Sequence, residues 1–193
     1  IGKWLMVNRL IAPVILQPDA SREVGNWTGL GDINYTAFFV PPTKGGLMWG
    51  FGPAFIFPTR TEKELGKGKF GIGPSAIALA QPGNWVVGGF IQNVWSLEGD
   101  TETQVIGVEE PVLEEGVNQF LGQYFVNYNL PDGWYLTSAP IITADWKADP
   151  GQKWTVPFGA GFGKIFQIGK QPVNASFQLY YNVVKPDNGP DWQ

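Results

Sequence analysis

The segment YNLPDGWYL, residues 128–136, places a short turn between two runs that are rich in aromatic residues. On both sides of Pro131-Asp132-Gly133, apolar and polar residues alternate with a period of two, which gives each run an apolar face and a largely polar face. Two such runs around a Pro/Gly turn predict a β-hairpin. Trp134 and Trp146 stand at the two ends of one apolar face, an arrangement that is unusual for a sheet in a soluble protein.

The same pattern recurs along the chain and predicts an all-β fold. Runs with strand periodicity cover residues 3–16, 31–41, 47–58, 70–81, 85–97, 117–130, 134–146, 154–167 and 172–185. The connections between these nine runs alternate between short turns and long loops. An antiparallel up-and-down meander with connections that alternate in this way is typical of outer-membrane β-barrels.

The composition agrees with an apolar exterior. The chain has 193 residues, which suits a single domain, and only 16% of them are charged, against a usual share of about 25%. No stretch approaches the ~20 apolar residues that a membrane helix requires. Strands of about 9–11 residues are therefore the elements that this sequence offers for crossing a membrane.

The chain contains neither Cys nor His, and this removes several kinds of chemistry. Disulfides, Ser-His-Asp triads and imidazole metal sites are excluded. No basic stripe exists, which argues against a nucleic-acid partner. A membrane-embedded enzyme would need a carboxylate or Ser/Lys mechanism, and no such pair stands out. The sequence therefore predicts a protein without enzymatic activity and without a cofactor.

One glycine motif requires comment. Residues 66–71, GKGKFG, match the GxGxxG pattern of dinucleotide-binding loops. That pattern needs a helix after it, whereas the residues that follow alternate like a strand. The glycines are better explained by a loop that enters a strand.

An acidic segment supports two interpretations. Seven acidic residues and no Lys or Arg lie between Glu98 and Glu115. A block of like charges is usually a solvated loop, here on the outside of the barrel. The alternative is a divalent-cation site, with Glu98, Asp100, Glu109 and Glu110 as weak candidates for the carboxylate ligands. No EF-hand spacing supports that alternative.

The polar faces of the long strands predict a water-filled lumen, because so many polar groups in a dry core would each require a partner. The predicted pore-lining residues are Arg9, Asp32, Gln119, Gln123, Asn127, Asp145, Asn174, Gln178 and Asn182. Amides outnumber full charges in this set, so the sequence predicts weak ion selectivity. The charged members have two interpretations: they set selectivity, or they brace the barrel as structural pairs.

The apolar faces are then assigned to lipid. Several Trp residues fall near predicted strand ends, where a ring at the membrane–water interface is half wet and half apolar. The predicted interface aromatics are Trp49, Trp85, Trp95, Trp134, Trp146 and Trp154. The alternative interpretation makes them ordinary anchors of a buried core.

Five segments together resemble a known family: GLGDINYTAFF (29–39), WGFGPAFIFPT (49–59), GIGPSAIALAQPGNWVVGG (71–89), YNLPDGWYLTSAPIITADW (128–146) and WTVPFGAGFGKIFQIGKQPVNASFQLYYNVV (154–184). The chain resembles the bacterial outer-membrane transporter-like family that is named for the meta-pathway of phenol degradation and is often mislabelled neuromedin U. The resemblance implies a β-barrel in the bacterial outer membrane. It also implies small hydrophobic or aromatic solutes, and it supplies no catalytic residues.

Two hypotheses follow from the sequence. The first is a single β-barrel domain over residues 1–193, embedded in the lipid bilayer of the outer membrane, that acts as a transporter- or channel-like protein for small molecules. The resemblance also implies that one or more strands before Ile1 and the closing strand after Trp192-Gln193 are missing. Because bacterial single-chain barrels have even strand numbers, the nine runs then predict a complete barrel of about 10–12 strands. The second hypothesis is a soluble all-β ligand-binding module of the lipocalin type.

Overall fold

A computed structural model describes residues 4–17, 27–43, 45–98, 101–103, 112–114, 116–187 and 189–193. The fold is nearly all β, which confirms the predicted fold class. Its strands are β1 (Leu5–Ile11), β2 (Val14–Gln17), β3 (Trp27–Leu30), β4 (Ile33–Val40), β5 (Leu47–Phe57), β6 (Gly71–Ala80), β7 (Trp85–Ser96), β8 (Thr101–Thr103), β9 (Val112–Glu114), β10 (Asn118–Asn129), β11 (Trp134–Ser138), β12 (Ile141–Asp145), β13 (Trp154–Ile168) and β14 (Gln171–Val184). Two 3-10 turns, Lys63–Leu65 and Pro131–Gly133, complete the elements.

Ten of these strands form one antiparallel sheet. Its wall runs β1-β4-β5-β6-β7-β10, continues through β11 and β12, which both pair with β10 and with β13, and ends at β14. Because β11 and β12 follow each other between the same two neighbours, β10 and β13, they count as one position in the sheet. The wall is therefore nine strands wide, which matches the nine runs predicted from the sequence. The sheet curls into a barrel-like body. For example, the Thr36 hydroxyl on β4 donates to Gln92 Oε1 on β7 across the interior, at 2.9 Å.

The predicted run 134–146 is broken at Ala139-Pro140, between β11 and β12. Proline has no N–H to give to a ladder, so a strand bends or ends around it. Two side chains from the interior replace the missing bonds: Gln123 Nε2 donates to Ala139 O at 2.9 Å, and the Ala139 N–H donates to Tyr180 Oη at 2.8 Å. The break is therefore held from inside the barrel.

Two small hairpins were not predicted. β2 pairs with β3, so the run 3–16 is two strands, and β8 pairs with β9 inside the acidic segment. Strands of three or four residues are too short for a period-two pattern to be recognised. Both hairpins lie outside the main sheet.

The meander separates the connections into two ends. Among the described residues, the short-turn end comprises residues 41–43, 45–46, 81–84, 130–133 and 169–170. The long-loop end comprises residues 12–17, 27–32, 58–70, 97–98, 116–117, 146–153, 185–187 and 189–190. Gly83 (φ 59°) and Gly169 (φ 63°) adopt the left-handed conformation inside two of the short turns. Their lack of a Cβ lets the chain reverse within a few residues.

The two outermost strands of the wall are β1 and β14, and among the described residues no ladder joins them. Residues 191–193 lie antiparallel to β14. The Tyr180 N–H donates to Gln193 O at 2.9 Å, Gln193 N–H donates to Tyr180 O at 2.8 Å, and Asn182 N–H donates to Asp191 O at 2.8 Å. Because Tyr180 directs both of its backbone groups to Gln193, this segment occupies the edge of β14 that faces away from β13.

Candidate functional site

The distribution of side chains is the reverse of that in a water-soluble domain. Among the described residues, exposed large hydrophobic side chains far outnumber buried ones, and Phe177 on β14 is 62% exposed. Polar side chains, in contrast, are buried inside: Thr36, Gln92 and Asn182 are almost fully enclosed. A soluble domain of this size buries its aromatic and aliphatic residues instead. The outer face of the sheet is therefore the apolar one.

Tryptophan side chains form two belts on this outer face. Trp49, Trp85 and Trp134 lie towards the short-turn end, and Trp95, Trp146 and Trp154 lie towards the long-loop end. All six are between 36% and 46% exposed, so none of them anchors a buried core. We call these sets the short-turn belt and the long-loop belt.

The separation of the belts follows from strand geometry. Trp85 and Trp95 lie on the same face of β7, ten positions apart. At about 3.3 Å per residue and a tilt of about 40°, this spacing puts roughly 25 Å between the belts. Within each belt the rings touch neighbours: Trp146 and Trp154 have centroids 5.3 Å apart, and Trp85 lies 4.7 Å from Tyr128.

The half of the barrel interior that lies towards the long loops contains open space. A cavity of about 750 Å³ lies there, and a second cavity of about 270 Å³ shares Asn34 and Gln119 with it. We call the two together the vestibule. Asp32 lines the first cavity and Asp145 the second. Three of the predicted pore-lining residues, Asp32, Gln119 and Asp145, thus meet around one space.

A loop, residues 59–69, folds back beside this space, and Asp32 fixes it. Asp32 Oδ1 accepts from the backbone N–H groups of Thr59 and Arg60, both at 3.1 Å. Asp32 Oδ2 accepts from the N–H of Gly68 at 2.8 Å. A carboxylate that accepts several backbone N–H bonds holds a loop more firmly than neutral partners would. Asp32 therefore acts as a brace.

Side-chain packing fixes the same loop a second time. The Ile33 N–H donates to the Thr59 hydroxyl at 2.9 Å, and Leu65 is buried at the tip of the loop. Gly29 and Gly31 make room for it: a Cβ at Gly29 would lie 2.9 Å from Leu65 Cδ1, and one at Gly31 would lie 2.8 Å from Leu65 O. The loop is thus built into the barrel mouth.

The fixed loop brings three cationic side chains to the vestibule, none of which was predicted from the sequence to line the lumen. Arg60, Lys63 and Lys67 line the larger cavity. Arg60 donates to the backbone oxygens of Lys63, at 3.0 Å, and of Gly66. Lys67 Nζ lies 3.7 Å from Asp145 Oδ2 at the end of β12. No periodicity could have revealed these residues, because the return of a loop depends on tertiary contacts.

Beyond the vestibule, towards the short turns, five side chains pack together. Phe38 and Phe90 are 1% and 5% exposed, with ring centroids 6.2 Å apart. The Arg9 guanidinium lies 4.3 Å from the Phe90 centroid, and its Nη1 is buried without a hydrogen-bond partner. The Thr36–Gln92 hydrogen bond completes the group. We call these five residues the plug. Arg9 does point inward, but into packed side chains.

Aromatic rings fill further interior space by lying against glycines. A Cβ at Gly163 would meet the Tyr135 ring at 2.3 Å, and one at Gly88 would meet the Phe125 ring at 2.7 Å. The Tyr135 hydroxyl then donates to Asn174 Oδ1 at 2.8 Å. Glycine at these two positions is required by the close approach of the rings. This hydrogen bond links β11 to β14 across the intervening strand β13.

Of the three remaining amides of the predicted lumen, Gln178 and Asn182 have structural partners. Gln178 Oε1 accepts from the Tyr180 hydroxyl. Asn182, 2% exposed, donates to Pro190 O at 2.8 Å. Asn127 has a buried Oδ1 without a hydrogen-bond partner. The inner amides near β14 therefore hold the wall and the segment that follows it.

The predicted cation ligands do not form a described site. Glu98 is exposed, and Asp100, Glu109 and Glu110 lie outside the described residues. Within the described part of the chain, no group of three or more Asp, Glu, His or Cys side chains is arranged to hold a metal ion. Neither is any helix there both long and apolar enough to cross a membrane.

Comparison with protein-family models, with curated proteins and with solved structures finds no match to this chain. The resemblance to the family named for the meta-pathway of phenol degradation therefore stays a prediction.

Proposed function

We propose that the protein is a bacterial outer-membrane β-barrel that acts as a transporter- or channel-like protein for small molecules. One observation carries the proposal: an apolar outer face between two tryptophan belts encloses a polar interior. In water, a continuous apolar surface of this kind would be an association or aggregation hazard. In a bilayer it meets acyl chains, and an apolar band about 25 Å tall with aromatic girdles is the outer surface of known transmembrane barrels.

Backbone hydrogen bonding supports the same environment. In lipid every backbone N–H and C=O must be paired inside the protein, and the ladders from β1 to β14 join each strand of the wall to the next. Among the described residues, no strand covers the outer edge of β1, and residues 191–193 cover only part of the outer edge of β14. We propose that one or more further strands close the wall there. The pairing of residues 191–193 with Tyr180 and Asn182 gives the direction and the edge along which such a strand would run.

The interior suits a solute that enters from the long-loop end. The vestibule, with its larger cavity of about 750 Å³, receives the solute there, and the plug separates it from the short turns. Passage through the barrel then requires the plug to rearrange. The hydrophobic or aromatic nature of the solute is implied by the family resemblance alone.

A second candidate is a soluble ligand-binding barrel of the lipocalin type. The observation in its favour is the vestibule, since small barrels of that kind hold a ligand inside. The two candidates differ in extraction. A chain that stays monomeric in plain buffer supports the lipocalin-like alternative, whereas one that needs detergent and floats with vesicles supports the membrane barrel.

The decisive test introduces an arginine, in two separate variants, at two neighbouring positions of β14. Phe177→Arg places a charge on the exposed outer face and should cost roughly 2–4 kcal/mol near mid-bilayer. Gln178→Arg, its control on the inner face, should be tolerated much better because the interior is polar. Both can be measured by heat-modifiability on a gel and by urea unfolding in lipid vesicles. Equal tolerance, or greater tolerance of Phe177→Arg, would overturn the proposed orientation.

A further inference from the structure

One cationic side chain lies on the outer face of the wall. The ten strands of the main sheet contain three charged residues, Arg9, Asp145 and Lys164. Arg9 packs on the Phe90 ring inside the barrel, and Asp145 lines the smaller cavity of the vestibule. Lys164 is directly opposite Trp134 in the ladder between β13 and β11, so their side chains share the outer face. Lys164 is therefore the only charged residue on the outer face of these strands.

The neighbours of Lys164 set the depth of its charge. Phe162 and Phe166, two positions away on either side along β13, are exposed on the same face. The Lys164 ammonium lies over the Trp134 ring, with Nζ 4.8 Å from the ring centroid. A lysine on the lipid face of a barrel is tolerated near the interface but is costly at mid-bilayer. In the proposed membrane barrel, the contact with a ring of the short-turn belt thus holds the charge at the interface.

No carboxylate of the protein neutralises this charge. Among the described residues, Lys164 forms neither an ion pair nor a hydrogen bond. Asp132 is the one acidic residue in the short turns, and it is exposed to water. Residues 1–3 and 44, outside the described part of the chain, contain no Asp or Glu. The acidic segment follows β7 and precedes β10, so it starts and finishes on the opposite side of the proposed bilayer.

The surface beside Lys164 suits an acyl chain. Trp134, Phe162 and Phe177 form a row of rings with successive centroids 6.3 Å apart. This row leads from the ammonium along the outer face, away from the short turns. Phospholipid phosphates lie in the interfacial region of a bilayer, next to its hydrocarbon core, and lysine binds phosphate as a point charge. One phospholipid can therefore contact the ammonium with its headgroup and the rings with its chain.

We propose that Lys164 and Trp134 form a binding site for the headgroup phosphate of an anionic phospholipid, whose acyl chain lies along Phe162 and Phe177. This inference rests on the proposed function and adds a specific lipid partner in the short-turn leaflet. An anionic lipid is favoured because a zwitterionic headgroup carries its own cation beside the phosphate, which offsets the attraction to Lys164. The headgroup of phosphatidylglycerol has no such cation.

The test uses the full chain in phosphatidylcholine vesicles that contain phosphatidylglycerol with brominated acyl chains, because bromine quenches tryptophan fluorescence on contact. The Trp134 ring lies at the site and serves as the reporter, and Trp134→Phe identifies its share of the signal. The binding constant for phosphatidylglycerol relative to phosphatidylcholine should fall about fivefold in Lys164→Gln. Lys164→Arg should keep the preference, and added NaCl should weaken it in the wild type.

Lys170→Gln is the matched control, because it removes an equal charge from the short turn that follows β13. It should leave the relative binding constant nearly unchanged. Equal losses in Lys164→Gln and Lys170→Gln would indicate a diffuse attraction by the whole short-turn end and would refute the site. A wild-type chain without a preference for phosphatidylglycerol would refute it as well. If Lys164→Gln does not fold, Lys164→Met, which suits an apolar face, should show the same fivefold loss.

Flotation with vesicles separates this inference from the proposed function. A chain that floats with phosphatidylcholine vesicles but does not prefer phosphatidylglycerol refutes the lipid site alone. A chain that floats with vesicles of neither composition refutes the membrane barrel, and with it the site.

Discussion

The two halves of the interior use the same strands in different ways. Towards the long loops, small and medium side chains and a returned loop leave a vestibule with a cavity of about 750 Å³. Towards the short turns, rings of Phe38, Phe90, Phe125 and Tyr135 occupy the space, two of them seated on glycines. An inward-facing position is therefore not by itself a pore-lining position. Whether it meets water depends on the volume of the side chains that reach the same depth from other strands.

The largest expected effect comes from removing a ring of the plug. Phe38→Ala should destabilise the protein by about 3–5 kcal/mol, because a fully buried ring leaves a cavity. Unfolding by urea in vesicles measures this loss. The control is the adjacent Phe39→Ala, whose side chain is exposed on the outer face and should cost far less. The proposed transport function further predicts faster solute passage through the Phe38→Ala variant, measured by a solute-uptake assay. Similar costs for the two variants would show that the plug half is not packed.

A smaller effect is expected where a ring lies on glycine. Gly163→Ala puts a methyl group into the Tyr135 ring and should cost about 1–3 kcal/mol through overpacking. Gly46→Ala, in a short turn with open space around its Cβ position, is the matched control and should be close to neutral. Thermal unfolding in detergent compares them. If Gly163→Ala were as stable as Gly46→Ala, the ring would have room to move and the short-turn half would be loosely filled.

In the vestibule half, Asp32→Ala should release the loop without unfolding the barrel. Three backbone N–H groups lose their acceptor, at a local cost of about 1–3 kcal/mol. Limited trypsin digestion should then cut at Lys63 or Lys67 several times faster than in the wild type. Asp149→Ala, in another loop at the same end, should leave the cleavage rate unchanged. Loss of the whole fold would mean that Asp32 braces the wall rather than the loop.

The smallest effect is expected from Lys67→Gln. Its ion pair with Asp145 spans 3.7 Å between partly exposed side chains, and such pairs contribute about 0–1 kcal/mol. Urea unfolding should therefore shift little, and added salt should remove the remaining difference from the wild type. A loss as large as that of Gly163→Ala would mean that this pair holds the barrel mouth together.

The wall itself was predictable because its signal is local. Side chains in a strand alternate with period two, so sequence alone placed Phe177 on one face and Gln178 on the other. The run 85–97 matches β7, Trp85–Ser96, almost to the residue, and the short turns fall where Pro and Gly interrupt the alternation. The inward direction of Asp32 was equally readable, although its role as a loop brace was not.

Tertiary structure alone decided what fills the barrel. The plug, the seating of Tyr135 on Gly163 and the loop that carries Lys63 to the vestibule all join residues that are far apart in the chain. Such contacts depend on the register between strands and on the curvature of the sheet. Neither property can be read from the alternation of apolar and polar residues in a single strand. The sequence by itself determined which face of each strand is apolar and where the chain turns. The assembled sheet determined which inward residues meet water and which meet each other, because depth in the lumen is set by all nine strands of the wall together.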